Sequence, residues 1–556
     1  MQISRRDLFR SSAAVAGVAA LGGVGSLSAD AVAGTRSIGR IAAPELTTAS
    51  QVLLKSGDTG WRTVVTGPGE AHTVRANLGV AAKKSRAKTR KHLLSFAQLS
   101  DVHICDSQSP MRLEPYDRKG DPDSGLDGKG RYTSAWRPQE ILGVHVADAM
   151  VRRINEIGRG PMLGKRLALT LQTGDNADNN QRNEIRWNID VLDGGTVQVD
   201  SGDLTRYEGV QDGDPAYYDT FYWHPDGTPE GLEDDQARTK YGFPTVPGLL
   251  DAARAPFEAE GLDIPWYTAF GNHDGLPQGS VTPSDETRAK AVGTAKTITL
   301  SPNKVRTVSA DPDRAEVSKK EWVEEHFASP ATPGPVGHGF TEENRTKGTG
   351  YYTFDTGFKD RVRFIVLDSV NPNGSESGSI DPKQFKWLKA LLAKSSKKLV
   401  ILASHHTIET MDNNLTGVLD NAPRILGTDI LPVLLANENV IAWVNGHTHT
   451  NQIWAHKRKG GGGFWEINTA SHIDWPQQGR LIEIADNQDG TVSIFTTMID
   501  HAGDAKFSGD LEDPVQLAAL SRLLAANDWQ EQDNNRRGVK AARNVELIAR
   551  APAFLR

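Results

Sequence analysis

Five short clusters of carboxylate, amide and imidazole side chains, each set directly after an apolar run, constrain this chain more than any other feature. They are Asp101-Val102-His103, Gly174-Asp175, Gly271-Asn272-His273-Asp274, His405-His406 and Gly446-His447-Thr448-His449. The runs before them, at 94–100, 166–173, 264–270, 399–403 and 440–444, read as β-strands. Side chains at successive strand ends converge in space even when they are far apart in sequence.

The intervening segments fit that reading. A helix is predicted over 138–157, with Pro138 in its first turn and a stripe of Ile141, Val144, Val151 and Ile154. Another begins at Asp381-Pro382, an N-cap followed by a first-turn proline, and buries Phe385, Leu388 and Leu392. A strand at 362–367 precedes it. Strands at 481–484 and 492–495 flank Asn487-Gln488-Asp489-Gly490 as an antiparallel hairpin. Helices are expected near 514–526 and 539–549. The class is α/β with mixed sheets.

Bulk properties narrow the chemistry. The net charge is -7, from 63 basic and 70 acidic residues, so no global field attracts nucleic acid. An anionic substrate needs a local positive charge. The single cysteine, Cys105, excludes an internal disulfide and a thiolate metal cluster; it reads as a small buried residue near the sheet.

At the amino terminus, Arg5-Arg6 and Arg10 precede an uncharged small-residue stretch, and Ala31-Val32-Ala33 suits cleavage. Ser4-Arg5-Arg6-Asp7-Leu8-Phe9 resembles a bacterial twin-arginine signal. Residues 1–33 are expected to be this signal, read by the twin-arginine export machinery, with the mature chain in the periplasm or the extracellular or cell-wall space of a bacterium. Residues 34–92 form an N-terminal extension or small β-rich region, ending in a solvated basic linker at 83–91. Residues 93–500 are the main domain, and 501–556 a C-terminal helical extension. Insertions near 194–257 and 276–350 are expected to wall the substrate cleft. Tyr207, Tyr218, Tyr222 and Trp223 in the first either pack an organic leaving group or form a small satellite core; the satellite core is the favoured reading. No stable membrane partner is indicated, and the oligomeric state is not legible.

The clusters suit metal ions. On an extended strand end, residues i and i+2 face the same way, so Asp101 and His103 can grip one ion, as can His447 and His449. Asp175 has two oxygens with which to bridge two ions, Asn272 offers a neutral oxygen and His405 a nitrogen. Carboxylate and imidazole donors suit Mn, Fe, Zn or Co. Two divalent ions bring about +4 and Asp101 and Asp175 return about -2; a bridging hydroxide leaves about +1, a local attraction for phosphate.

With all five clusters in this order, the chain resembles the calcineurin-like metallophosphoesterase superfamily over roughly residues 94–485. The resemblance implies a four-layer sandwich of two mixed β-sheets flanked by helices, with large loop insertions and a dinuclear centre of divalent or mixed-valence transition metals. It implies Asp101, His103 and His449 for one ion, Asp175 as bridge, and Asn272, His405 and His447 for the other. His273 is implied as a catalytic group that approaches the phosphate without ligating metal, its ring oriented by Asp274. Purple acid phosphatases of the superfamily place a tyrosine three residues after the bridging aspartate; here Asp178 stands there, so tyrosinate charge transfer is not expected. Asp178, Asn179 and His406 are expected to support the ligands from behind.

The leading expectation is hydrolysis of a phosphomonoester or phosphodiester by metal-activated water or hydroxide. The alternative is a catalytically inactive, metal-stabilised envelope or binding protein. Amide hydrolysis ranks below both, because no His-Glu-x-x-His motif is present.

Overall fold

The structure is a computed structural model, described over residues 43–57, 60–121, 132–329, 333–532 and 535–556. The expected export signal at 1–33 lies outside the described residues. So do parts of the loop that follows His103.

Two mixed sheets carry the site. The strands of the first are β1 (Thr73–Arg75), β2 (Lys91–Leu99), β3 (Thr170–Gln172) and β4 (Trp266–Thr268), with three more from the C-terminal part of the chain. The second holds β5 (Tyr352–Thr356), β6 (Val362–Val366), β7 (Leu399–Ala403), β8 (Val440–Asn445), β9 (Gln452–Lys457) and β10 (Gly463–Asn468). The chain then returns to the first sheet with β11 (Gln478–Asp486), β12 (Thr491–Asp500) and β13 (Val545–Arg550). The orders are β1-β13-β12-β11-β2-β3-β4 and β5-β6-β7-β8-β10-β9. Strands β2, β3 and β4 run parallel, as do β7 and β8. All five site clusters therefore leave the carboxyl ends of parallel neighbours, where open α/β sheets present their ligand crevices.

Alternation along the strands explains the layers. In β6 to β8, Phe364, Val366, Ile401, Ala403, Ala442 and Val444 enter the core shared with the first sheet, where Phe96 meets Phe364 edge to face at 5.3 Å. Their neighbours Ile365, Val400, Leu402 and Trp443 face the other way, against Leu388 and Leu392 of one helix (Pro382–Ala393) and Ile430 and Leu434 of another (Gly427–Leu435). The helix Gly143–Ile157 puts Val144, Ala147, Met150, Val151 and Ile154 into the first core cluster. Against its other side, Val146 and Ala149 meet Ala518 of the helix Pro514–Asn527. Two mixed sheets between helices form the expected sandwich.

Three expectations change. Residues expected as a helix at 539–549 instead provide β13, paired antiparallel with β12 and parallel with β1. The apolar residues of Val545-Glu-Leu-Ile-Ala-Arg550 fit either periodicity over so short a run, and the open edge of β12 selects the strand. The basic run at 83–91 is not a free linker. Arg86 makes paired hydrogen bonds of 2.8 and 2.7 Å to Glu546, locking the segment to β13.

The insertion near 194–257 does not wall the cleft. Tyr207, Tyr222 and Trp223 join Trp136, Phe243 and Trp529 in a separate aromatic core, and Tyr218 is buried as well. Their polar ends are spent on Ser107 Oγ, Ile298 O and Pro244 O for Tyr207, Tyr222 and Trp223. Among the described residues, no helix is long and apolar enough to cross a membrane.

Candidate metal centre

Extended strand ends do not bring the ligands together. Asp101, His103, Asp175, His447 and His449 all adopt left-handed backbone, with φ of 51°, 51°, 52°, 71° and 54°. Non-glycine residues rarely do so, at a cost of about 1–3 kcal/mol each, and such outliers cluster at functional sites. The loops are held by one another. Asp101 N donates to Gly174 O, His103 N to Asp175 O and Ile104 N to Asn176 O, at 3.0–3.1 Å. Gly446 N donates to His405 O at 3.0 Å, and His447 N reaches the Asp101 carboxylate at 2.9 Å, which ties the two sheets together at the site. A Cβ at Gly271 would collide with Asp175, and one at Gly446 with Ser100 and Asp101. Both glycines are needed for this close approach.

The orientation of each imidazole follows from its hydrogen bond. His103 Nδ1 lies 2.9 Å from Asp178 Oδ1 and His449 Nδ1 lies 2.5 Å from Asp474 Oδ2. Burial opposes ionisation of both carboxylates. Arg112 and His103 nonetheless hold Asp178, and Arg137 and Arg536 hold Asp474, well below the usual carboxylate range. An ionised carboxylate only accepts, so each Nδ1 donates its hydrogen and each Nε2 is the nitrogen left to face the site. Those two Nε2 atoms face each other at 3.2 Å. Two nitrogens bound to one tetrahedral ion at ~2.1 Å sit about 3.4 Å apart. That spacing is matched to one shared cation. Asp101 Oδ1, 3.4 Å from His449 Nε2, completes this half.

The other half repeats the logic with neutral partners. His405 donates Nδ1–H to Thr173 O at 3.0 Å, which leaves Nε2 facing the site, 3.1 Å from Asp175 Oδ2 and 3.2 Å from His447 Nδ1. Burial disfavours a charged His405, yet Asp175 and Asp101 outweigh it and push its pKa up to about 9 in the ion-free protein. Asn272 donates to Gly279 O at 3.0 Å, and its Oδ1 is buried with no hydrogen-bond donor among the described residues. A bare acceptor beside converging ring nitrogens fits a second cation, which would take the place of the His405 proton. Asp175 joins the halves: Oδ1 accepts from His273 N at 2.9 Å, while Oδ2 lies 3.1 Å from His405 Nε2 and 3.7 Å from His103 Nε2. The clusters suit a dinuclear metal site.

Four supporting residues differ from expectation or gain a definite role. Asp274 does not orient His273. Its carboxylate accepts from the backbone N–H groups of Asn176, Ala177 and Gly271, because it occupies the third position of a turn whose free N–H groups point at it. The His273 ring is held instead by the Asp178 carbonyl, to which Nδ1 donates at 2.6 Å. Asp178 thus serves His103 with its side chain and His273 with its backbone. Asn179 Oδ1 accepts from Gln278 N at 2.7 Å and positions the loop beside His273. His406 lies close to His405 and His447, but both its nitrogens are engaged, Nδ1 with Ser369 Oγ and Nε2 with Glu376 O, each at 2.8 Å. It supports from behind. Cys105 is buried, and burial pushes its thiol well up, away from reactivity.

The site opens on a cleft of about 960 Å³ lined by His103, Asp175, Asn272, His273, His447 and His449. Its outer wall comes from the loop after His103, including Tyr116, Tyr132 and Arg137, and from Arg536 near the carboxyl terminus. The insertion at 276–350 adds Gln278, Ser280 and Val281 from its first turn. Asp474, Arg112 and Arg137 carried no sequence signal, since each stands alone in an ordinary context.

A family described as "Calcineurin-like phosphoesterase" matches residues 245–451. Among solved structures, a dimetal phosphatase from Danio rerio is 12% identical, with coverage of 74% of this chain and 100% of that one, at a TM-score of 0.33. GAP50, titled the anchor in the inner membrane complex of Plasmodium, is 14% identical over 76% and 87% at 0.27. The purple acid phosphatase PPD1 from yellow lupin (Lupinus luteus) seeds is 8% identical over 78% and 55% at 0.28. No curated protein sequence matches the chain.

Proposed function

We propose that this chain, a member of the calcineurin-like metallophosphoesterase superfamily, hydrolyses a phosphomonoester or phosphodiester. The observation that carries the reading is the set of oriented imidazole nitrogens and the bare Asn272 oxygen converging on two adjacent points beneath an open cleft. Asp101, His103 and His449 would hold one ion, Asn272, His405 and His447 the other, with Asp175 between them. Two divalent cations so held polarise the ester phosphorus and lower the pKa of water, and Mn, Fe, Zn and Co all suit these donors.

The chain's own residues supply the rest. His273 commits Nδ1–H to the Asp178 carbonyl, and its ring lines the cleft. From Nε2 it passes a proton to the departing oxygen. Asp274 and Asn179 keep the His273 loop closed against Asp175, so Nε2 is presented in one place. The left-handed ligand loops, bonded to each other, preorganise the centre before substrate arrives.

A panel of mono- and diesters offered to the mature chain loaded with Mn, Zn, Fe or Co tests the reading. Turnover of one class is expected. Two bound ions with no turnover on any ester would point to the binding-protein alternative. The proposal extends to export through residues 1–33. Replacing Arg5 and Arg6 by lysine is expected to retain the chain in the cytoplasm of a bacterial host, and unchanged fractionation would sink that part.

A further inference from the structure

Two arginines reach the same buried carboxylate, and they are not equivalent. Arg536 uses all three of its nitrogens: Nε and Nη2 go to Glu531 at 2.5 and 2.8 Å, and Nη1 goes to Thr448 O at 3.1 Å. Arg137, whose side chain is 3% exposed, gives Nε to Asp474 Oδ1 at 2.6 Å and Nη1 to Ser134 O at 3.3 Å. Nη2 enters neither bond, and the side chain lines the cleft that holds His103, His273 and His449. Asp474 also fixes His449, so the free end of Arg137 is anchored to the ligand frame itself.

We infer that Arg137 is a substrate-binding residue that reads a terminal phosphate oxygen and biases the site toward dianionic phosphomonoesters. The inference rests on the phosphoesterase reading and narrows its substrate class. A buried guanidinium with two nitrogens immobilised has little freedom left to lose when the third takes an oxygen. A monoester carries about two negative charges and three terminal oxygens near neutral pH. A diester carries one charge and two such oxygens. An added fixed cation at the cleft wall therefore favours the monoester, and charge-assisted hydrogen bonds of this kind are the strong ones.

Arg137→Gln and Arg137→Lys in the metal-loaded mature chain provide the test. Metal content, the Kd for inorganic phosphate and KM for p-nitrophenyl phosphate and bis(p-nitrophenyl) phosphate are measured together. Arg137→Gln is expected to keep both ions, weaken phosphate by about 10–100-fold, and raise KM for the monoester by a similar factor but less for the diester. Arg137→Lys keeps the charge without the planar fork and is expected to fall between. An unchanged phosphate Kd in Arg137→Gln, or in Arg137→Lys should the glutamine variant not fold, overturns the inference. Loss of metal in both variants also overturns it, since Arg137 would then serve only to position His449. If the wild type cleaves neither ester while Arg137→Gln still weakens phosphate, anion reading stands and the phosphoesterase reading fails.

Discussion

The two halves of the metal centre are built from similar ligands and held by different means. Behind His103 and His449 stand the carboxylates of Asp178 and Asp474, each paired in turn with a buried arginine, Arg112 or Arg137. Behind His405 and Asn272 stand only the carbonyls of Thr173 and Gly279. A carboxylate partner makes an imidazole a stronger donor than a carbonyl does, and such outer partners set metal affinity. The first half should therefore hold its ion more tightly, and the second should exchange first. The contrast also shows why one half reaches deep into the fold: its charges need arginines, and these link the site to the cleft wall.

The largest expected effect removes what the halves share. Asp175→Asn should abolish hydrolysis and lower metal content, read by elemental analysis alongside turnover. Retention of both ions would break the assignment of Asp175 as the bridge. His273→Ala should leave both halves loaded while turnover falls by about 10²–10⁴-fold. Activity equal to wild type would remove His273 from the mechanism.

The comparison itself is sharpened by Asp474→Asn. It should weaken the tighter ion by about 10–100-fold and leave the second almost untouched, as followed by calorimetric metal titration. Equal losses at both halves would erase the distinction. The smallest effect separates acid damage to the fold from acid loss of metal. His145, buried in the helix Gly143–Ile157 and stacked on Phe257, is pushed by burial from its ordinary 6.5 down to about 3. Between those values the unfolded chain binds the extra proton, so stability falls as pH drops from about 6.5 toward about 3, and this contribution stops growing below that. His145→Leu should flatten the fall in Tm over that window with metal content unchanged. An identical pH profile would place the acid sensitivity elsewhere.

How far the sequence could be read depended on whether a residue sat in a pattern. Strands β7 and β8 were legible because Leu399-Val-Ile-Leu-Ala403 and Val440-Ile-Ala-Trp-Val444 are unbroken apolar runs, and their ligands follow at once. The backbone at those ligands was not, because left-handed φ at Asp101 or His449 is imposed by loop-to-loop hydrogen bonds that no local propensity encodes. Asp474 and Arg137 were invisible for a related reason: their meaning lies in each other, 337 residues apart, and in the His449 ring that Asp474 holds. The aromatic insertion was readable as a satellite core, but its absence from the cleft lining was not. The strand at Val545–Arg550 was misread because the decision belongs to the edge of β12.

One measurement bears most directly on the central claim: metal titration of the mature chain with phosphate-ester turnover recorded at each point. The account predicts two ions bound in sequence, the tighter in the Asp101, His103 and His449 half, with hydrolysis rising only as the second half fills. Full turnover with one ion bound, or two ions bound with no hydrolysis of any ester, would contradict it.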